Sequence, residues 1–176
     1  TEFTQQAYLT LIGRNDSYYK NCGSDCPANY ISWHQAALVA NLVSNRMGLE
    51  ECYDCTLSDD DDPTTLQSCA SAHTGSDIYT CSGFRLPTEA EWEYAMRGGS
   101  SEDFWTENGG GPYVSNVCDN TARINDEVYS FFSDYAWFCG NRYTRFDSGH
   151  YNMPKPVGNT KPNANGLYDM YGNVWE

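Results

Sequence analysis

Pro162-Asn-Ala-Asn-Gly-Leu-Tyr-Asp-Met-Tyr-Gly-Asn-Val-Trp-Glu176 is the most informative stretch of the 176-residue chain. Its Asn and Gly residues suit a turn with positive φ, where glycine pays no Cβ penalty and an Asn side chain can bond locally. On that reading Trp175 is simply buried. The same stretch also offers oxygen to a hard cation. The side chains of Asp169 and Glu176 and the carbonyls of Gly172 and Val174 could surround one Ca²⁺, which takes six to eight oxygens and accepts carbonyls readily.

Moving toward the N-terminus, Gly83-Phe-Arg-Leu-Pro-Thr-Glu-Ala-Glu-Trp-Glu-Tyr-Ala-Met-Arg-Gly98 carries a strong helix signal. Thr88 and Glu91 are spaced as a capping box, Glu89 and Glu91 favour the positive end of the helix, and Gly98-Gly99 stops it. Trp92, Ala95 and Met96 share a face. Ser32 opens an earlier helix with its own capping box to Gln35. Trp33, Ala36, Ala37, Ala40, Val43 and Met47 form its expected apolar stripe, and Gly48 is its stop. A short helix is expected from Thr4 to Leu11, ended by Gly13. Residues 49 to 82 read as a loop stapled by cysteines. Its run Asp59-Asp60-Asp61-Asp62-Pro63 lacks the alternation and turn glycine of an EF-hand and reads as a solvated acidic loop. After residue 99 periodicity is poor, with short β-prone pieces such as Tyr135-Ala-Trp-Phe138.

Composition narrows the function classes. Ten basic against twenty-four acidic residues give a formal net charge of −14, which repels phosphate backbones, so nucleic acid is not an expected partner. Fourteen Tyr and five Trp supply large rings to bury, so the chain is not of the disordered type despite a mean hydropathy of −0.65. No run of eighteen apolar residues is present, so no membrane span is expected. Eight cysteines in an acidic, loop-rich chain point to disulfides and a secreted or periplasmic, extracytoplasmic setting. The Cys52-x-x-Cys55 and Cys22-x₃-Cys26 spacings leave a zinc reading open, but His34, His73 and His150 show no ligand spacing. The expected pairings are Cys22–Cys26, one among Cys52, Cys55, Cys69 and Cys81, and Cys118–Cys139. Motifs for serine hydrolysis, nucleotide binding and zinc proteolysis are absent from the sequence. Glu89, Glu91 and Glu93 point to different helix faces and read as solvated.

Four stretches in order, Ser32-Trp-His-Gln-Ala36, Gly83 to Ala95, Pro156-Val-Gly158 and Pro162 to Glu176, resemble the formylglycine-generating enzymes, also called sulfatase-modifying factors. The resemblance spans nearly the whole chain. It implies an α+β, C-type-lectin-like fold of low regular secondary structure, which agrees with two main helices near 32–47 and 88–97. Residues 1–176 are then expected to be a single domain cut short at its C-terminus, and also at its N-terminus. The implied activity of the full-length protein is oxidation of a peptidyl cysteine to formylglycine in a sulfatase-type protein or peptide substrate, using O₂ and copper held by two cysteines. In the family those cysteines lie beyond the Asn-x-Trp-Glu motif, so no catalytic residue is expected in this span and copper only in a full-length catalytic form. The resemblance implies a structural calcium on Asp169, Gly172, Val174 and Glu176. It implies a second on Asn120, Thr121, Asp134 and Ala136, whose spacing matches although the surrounding sequence departs from the family pattern. It also makes Trp175 a substrate-cleft residue. The alternative is a non-catalytic, calcium-stabilised binding module of the same family. A third branch, the iron-dependent sulfoxide synthases, needs a further His-bearing domain.

Overall fold

The computed structural model describes residues 1–73, 75–107, 132–141 and 153–175. They fall into two compact units, each taken here by itself. The helix–hairpin unit comprises Gln5–Lys20 and Ala28–Pro87, and the loop unit comprises Thr1–Thr4, Asn21–Pro27 and Thr88–Glu176.

In the helix–hairpin unit, α1 (Gln5–Ile12) ends at Gly13, which adopts a φ of +87°. Helix α2 (Trp33–Arg46) begins with the expected capping box: Ser32 Oγ accepts from the Gln35 N–H, and the Gln35 side chain accepts from the Ser32 N–H. Its buried face is Ala37, Leu38, Asn41 and Ser44, while Trp33 and Met47 of the expected stripe are exposed. The polar pair is buried because it satisfies backbone. Asn41 Oδ1 accepts from the N–H groups of Cys52 and Tyr53, its amide donates to the Tyr53 carbonyl, and Ser44 Oγ accepts from the Phe84 N–H.

Residues 49 to 82, expected to be loop, contain a hairpin. Strand β1 (Tyr53–Leu57) pairs antiparallel with β2 (Leu66–Ser71), with an irregularity between Thr56 and Leu57. Cys55 lies opposite Cys69, and a disulfide joins them. The four aspartates occupy the connection, where Asp62 caps a short 3₁₀ turn by accepting from the Thr64 N–H. A second disulfide, Cys52–Cys81, closes the segment after β2 back onto the start of β1. The core gathers Tyr8, Ile12, Ala37, Leu38, Cys52, Tyr53 and Cys69.

Among its described residues the loop unit has α3 (Glu89–Arg97) and one short parallel pair, β3 (Ala136–Trp137) with β4 (Tyr171–Gly172). Helix α3 starts with the Thr88–Glu91 capping box and ends at Gly98 in the left-handed region. Its last carbonyls receive the Asn163 amide, at 2.6 Å from Ala95 O and 3.2 Å from Met96 O. Cys22–Cys26 forms the expected disulfide. Cys139 is also disulfide-bonded, while Cys118, its expected partner, lies outside the described residues. The mixed helix-and-sheet architecture with small sheets is the expected fold class.

Candidate binding cleft

The loop unit contains an open cleft of about 560 Å³ lined by Trp92 and Met96 of α3, Phe104, Phe132, Trp137 of β3 and the segment Met170 to Trp175. Beneath it the rings pack edge to face: Phe104 lies 5.0 Å from Phe132 and 5.2 Å from Tyr171, and Phe132 lies 4.8 Å from Phe138. Tyr171 fixes two walls at once. Its hydroxyl donates to Met96 O at 3.1 Å and accepts from the Trp105 N–H at 2.8 Å. Burial pushes its phenol above the ordinary tyrosine range.

Trp175, expected as a cleft residue from the resemblance and as a buried ring from the turn reading, is exposed. It is one of the residues that line the cleft. The backbone before it is tightly specified. Gly172 has a φ of +114°, and a Cβ there would lie 1.9 Å from Trp137 O. Asn173 has a φ of +67° and clasps residue 155 as a strand would: Oδ1 accepts from the Lys155 N–H at 2.7 Å, and the amide donates to Lys155 O at 3.0 Å. The positive φ values expected of this turn are present.

Asp169 is 2% exposed and has a φ of +60°. Its Oδ1 accepts from Trp137 Nε1 at 3.1 Å and from the Thr160 hydroxyl at 2.9 Å, and its Oδ2 accepts from the Gly158 N–H. The carboxylate thus joins three segments and holds the Trp137 indole in the cleft wall. Among the described residues no cationic side chain pairs with it. A carboxylate has about four acceptor positions, so one remains. The Gly172 carbonyl accepts the Val174 N–H and keeps its second lone pair. Asp169 and the Gly172 carbonyl thus each keep one acceptor position, and Glu176 lies outside the described residues.

The second set is different. Asn120 and Thr121 lie outside the described residues. Asp134 Oδ2 is 3.4 Å from Lys161 Nζ, and Ala136 O accepts the Asn141 amide at 2.7 Å. An ammonium already supplies the positive charge at Asp134, and Lys161 also reaches Glu107 at 2.9 Å. Asp134 is thus paired with an ammonium, while Ala136 O, like Gly172 O, keeps one lone pair. Sequence reasoning also missed Phe104, Phe132 and Tyr171 as cleft residues, because they lie in segments without periodicity. The shared face of Trp92 and Met96 was the one available signal.

The model of the sulfatase-modifying factor enzyme 1-like domain matches residues 10–176. The chain belongs to this sulfatase-modifying-factor family. A chaperone protein, LppX, of Paenibacillus barcinonensis is 30% identical over 99% of the chain and 58% of its own length. The formylglycine-generating enzyme of Mycobacterium tuberculosis is 36% identical over 53% of the chain and 26% of its own length. Among solved structures, variable protein 1 of Treponema denticola aligns with a TM-score of 0.60 at 27% identity, covering 98% of the chain and 58% of that protein. The chain thus spans less than two thirds of the relatives it matches.

Among the described residues no cysteine thiol is free, since Cys22, Cys26, Cys52, Cys55, Cys69, Cys81 and Cys139 are all in disulfides. Those disulfides point to an oxidising, extracytoplasmic environment. Among the described residues no helix is long and apolar enough to cross a membrane.

Proposed function

We propose that the loop unit is the substrate-binding part of a formylglycine-generating-type domain and that its aromatic cleft takes an extended peptide segment of a protein substrate, of which a sulfatase is the family's type. The observation that carries this reading is a cleft walled by Trp92, Phe104, Phe132, Trp137, Tyr171 and Trp175, the last two in the motif that carries the family resemblance. Aromatic faces offer large contact area at low rotamer cost and accept main chain and side chains alike. The reaction in the full-length protein would be oxidation of a substrate cysteine to formylglycine. The described cysteines do not fit copper, so the part assigned to this chain is binding and orientation. Secretion is part of the proposal, supported by the disulfides.

The relatives that cover nearly the whole chain favour a second reading, a non-catalytic binding module: one is named a chaperone and another a variable protein. Incubating the full-length protein with copper, O₂ and a Cys-x-Pro-x-Arg peptide separates the two. An aldehyde product detected by mass spectrometry supports the oxidase; saturable binding with no conversion supports the module.

The proposal includes a structural calcium held by Asp169, Gly172, Val174 and Glu176, supported by the uncompensated buried carboxylate. A cation bound only by the folded state stabilises it by mass action. The melting temperature is therefore expected to be higher in calcium than in chelator. Identical melting in both would remove calcium from the account.

A further inference from the structure

Asn173 stands two residues before Trp175 and adopts a φ of +67°. Both ends of its carboxamide are engaged. The oxygen accepts from the Lys155 N–H at 2.7 Å, and the nitrogen donates to Lys155 O at 3.0 Å and to Glu2 Oε1 at 2.8 Å. These partners settle which way the amide points. A backbone N–H can only donate, and a carbonyl or ionised carboxylate oxygen can only accept. Glu2 thus reaches the turn before Trp175 from the opposite end of the chain, 171 residues away.

The segment that carries Glu2 is itself fastened. Thr4 makes an antiparallel bridge with Pro27, beside the Cys22–Cys26 disulfide loop. In that loop Asp25 O accepts the Val157 N–H at 2.9 Å, and Cys22 Sγ lies 3.0 Å from Pro154 O. Residues 1–4, the disulfide loop and segment 154–158 therefore form one base, all within the loop unit. Asn173 joins this base to the turn that carries Trp175, with one bond to Glu2 and two to Lys155.

A side-chain-bearing residue in the left-handed region persists where its surroundings hold it there. Lys155 alone grips the Asn173 carboxamide from one side. The Glu2 oxygen adds a second, half-buried anchor from a different segment. We propose that Glu2 is a positioning residue of the aromatic cleft: its carboxylate fixes the Asn173 carboxamide and, through it, the direction in which the Trp175 indole lies along the cleft. The consequence for ligand binding rests on the peptide reading of that cleft. The consequence for the ring does not.

Fluorine NMR of the fluorotryptophan-labelled protein reads the ring directly, with the Trp175 signal assigned by its loss in Trp175→Phe. That signal is expected to shift in Glu2→Ala and to return in Glu2→Gln, whose side-chain carbonyl can still accept from Asn173. The signal of Trp33, in the helix–hairpin unit, should stay in place in both variants. Titration of the Cys-x-Pro-x-Arg peptide reads the consequence. Glu2→Ala should weaken binding about fivefold, as for the loss of one hydrogen bond, and Glu2→Gln should bind as the wild type does. In a Trp175→Ala background Glu2→Ala should have no further effect, because it acts through that ring. A Trp175 signal unmoved by Glu2→Ala, no recovery in Glu2→Gln, or equal weakening by Glu2→Ala with and without Trp175 overturns the inference. A wild type that binds no peptide, but whose Trp175 signal responds to Glu2 as expected, overturns the peptide reading and upholds the role of Glu2.

Discussion

In the helix–hairpin unit, two helices pack on a two-stranded hairpin, an apolar cluster sits between them, and two disulfides close the hairpin and the segment after it. Among the described residues of the loop unit, two short strands and one α-helix are accompanied by aromatic edge contacts and by three carboxamide or carboxylate side chains, Asp169, Asn163 and Asn173, that satisfy groups of neighbouring segments. The first unit is held by an apolar cluster and two disulfides at its hairpin. The second, besides the Cys22–Cys26 bridge and its ring cluster, relies on polar side chains that satisfy backbone groups one at a time. The backbone leading to Trp175 is fixed by Gly172 and Asn173 rather than by an extended sheet.

The largest expected effects come from the two glycines that a Cβ cannot replace. Gly172→Ala would place a Cβ 1.9 Å from Trp137 O in the loop unit, and Gly83→Ala would place one 1.8 Å from Glu50 O in the helix–hairpin unit. Each should cost about 4 kcal/mol or prevent folding, because the blocking atom is backbone and cannot rotate away. Denaturant titration of both variants measures this, and near-wild-type midpoints would mean that the close approaches are not real.

Next come the fastenings peculiar to each unit. Replacing Cys55 and Cys69 together by Ser opens a 14-residue separation and should cost about 3 kcal/mol on the chain-entropy model, with loss of amide exchange protection along β1 and β2. Asp169→Ala strips three donors of their acceptor, the Thr160 hydroxyl among them buried, and should cost about 2–3 kcal/mol. That loss should persist in chelator, with any calcium-dependent difference added to it. A loss seen only in calcium would make Asp169 a metal ligand and nothing more.

A smaller effect is expected at Tyr8. Its phenol is pushed above the ordinary tyrosine range by burial and by the Asp16 carboxylate that accepts its proton. A group whose folded pKa is raised contributes stability that is full below its unfolded value, about pH 10, and is lost as pH rises above it. Tyr8→Phe should therefore cost about 1 kcal/mol at neutral pH, and the difference from wild type should shrink under alkaline titration. A difference that grows above pH 10 would contradict the assignment of the proton.

Both capping boxes were legible in the sequence because each is a local pattern completed within four residues. The family fold was legible because its two long motifs are specific. The hairpin was not, since Asp59 to Asp62 masked its turn and each strand carries a cysteine where an apolar alternation would be sought. The buried face of α2 was misread at Asn41 and Ser44, whose partners come from residues 51–53 and 84 and leave no periodic trace. At the cleft, Asp169 was recognisable as an oxygen donor, but its role in holding Trp137 depends on contacts 32 residues apart in sequence.

The central claim is that the loop unit spends its backbone fastenings on fixing the fold and leaves Trp175 free for a ligand. The most direct measurement is to compare melting temperature and affinity for a Cys-x-Pro-x-Arg peptide in the wild type and in Trp175→Ala. The account predicts unchanged melting, because the ring is fully exposed, together with at least about tenfold weaker peptide binding, or about 1.4 kcal/mol. Unchanged peptide affinity, or a melting temperature lowered by several degrees, would contradict it.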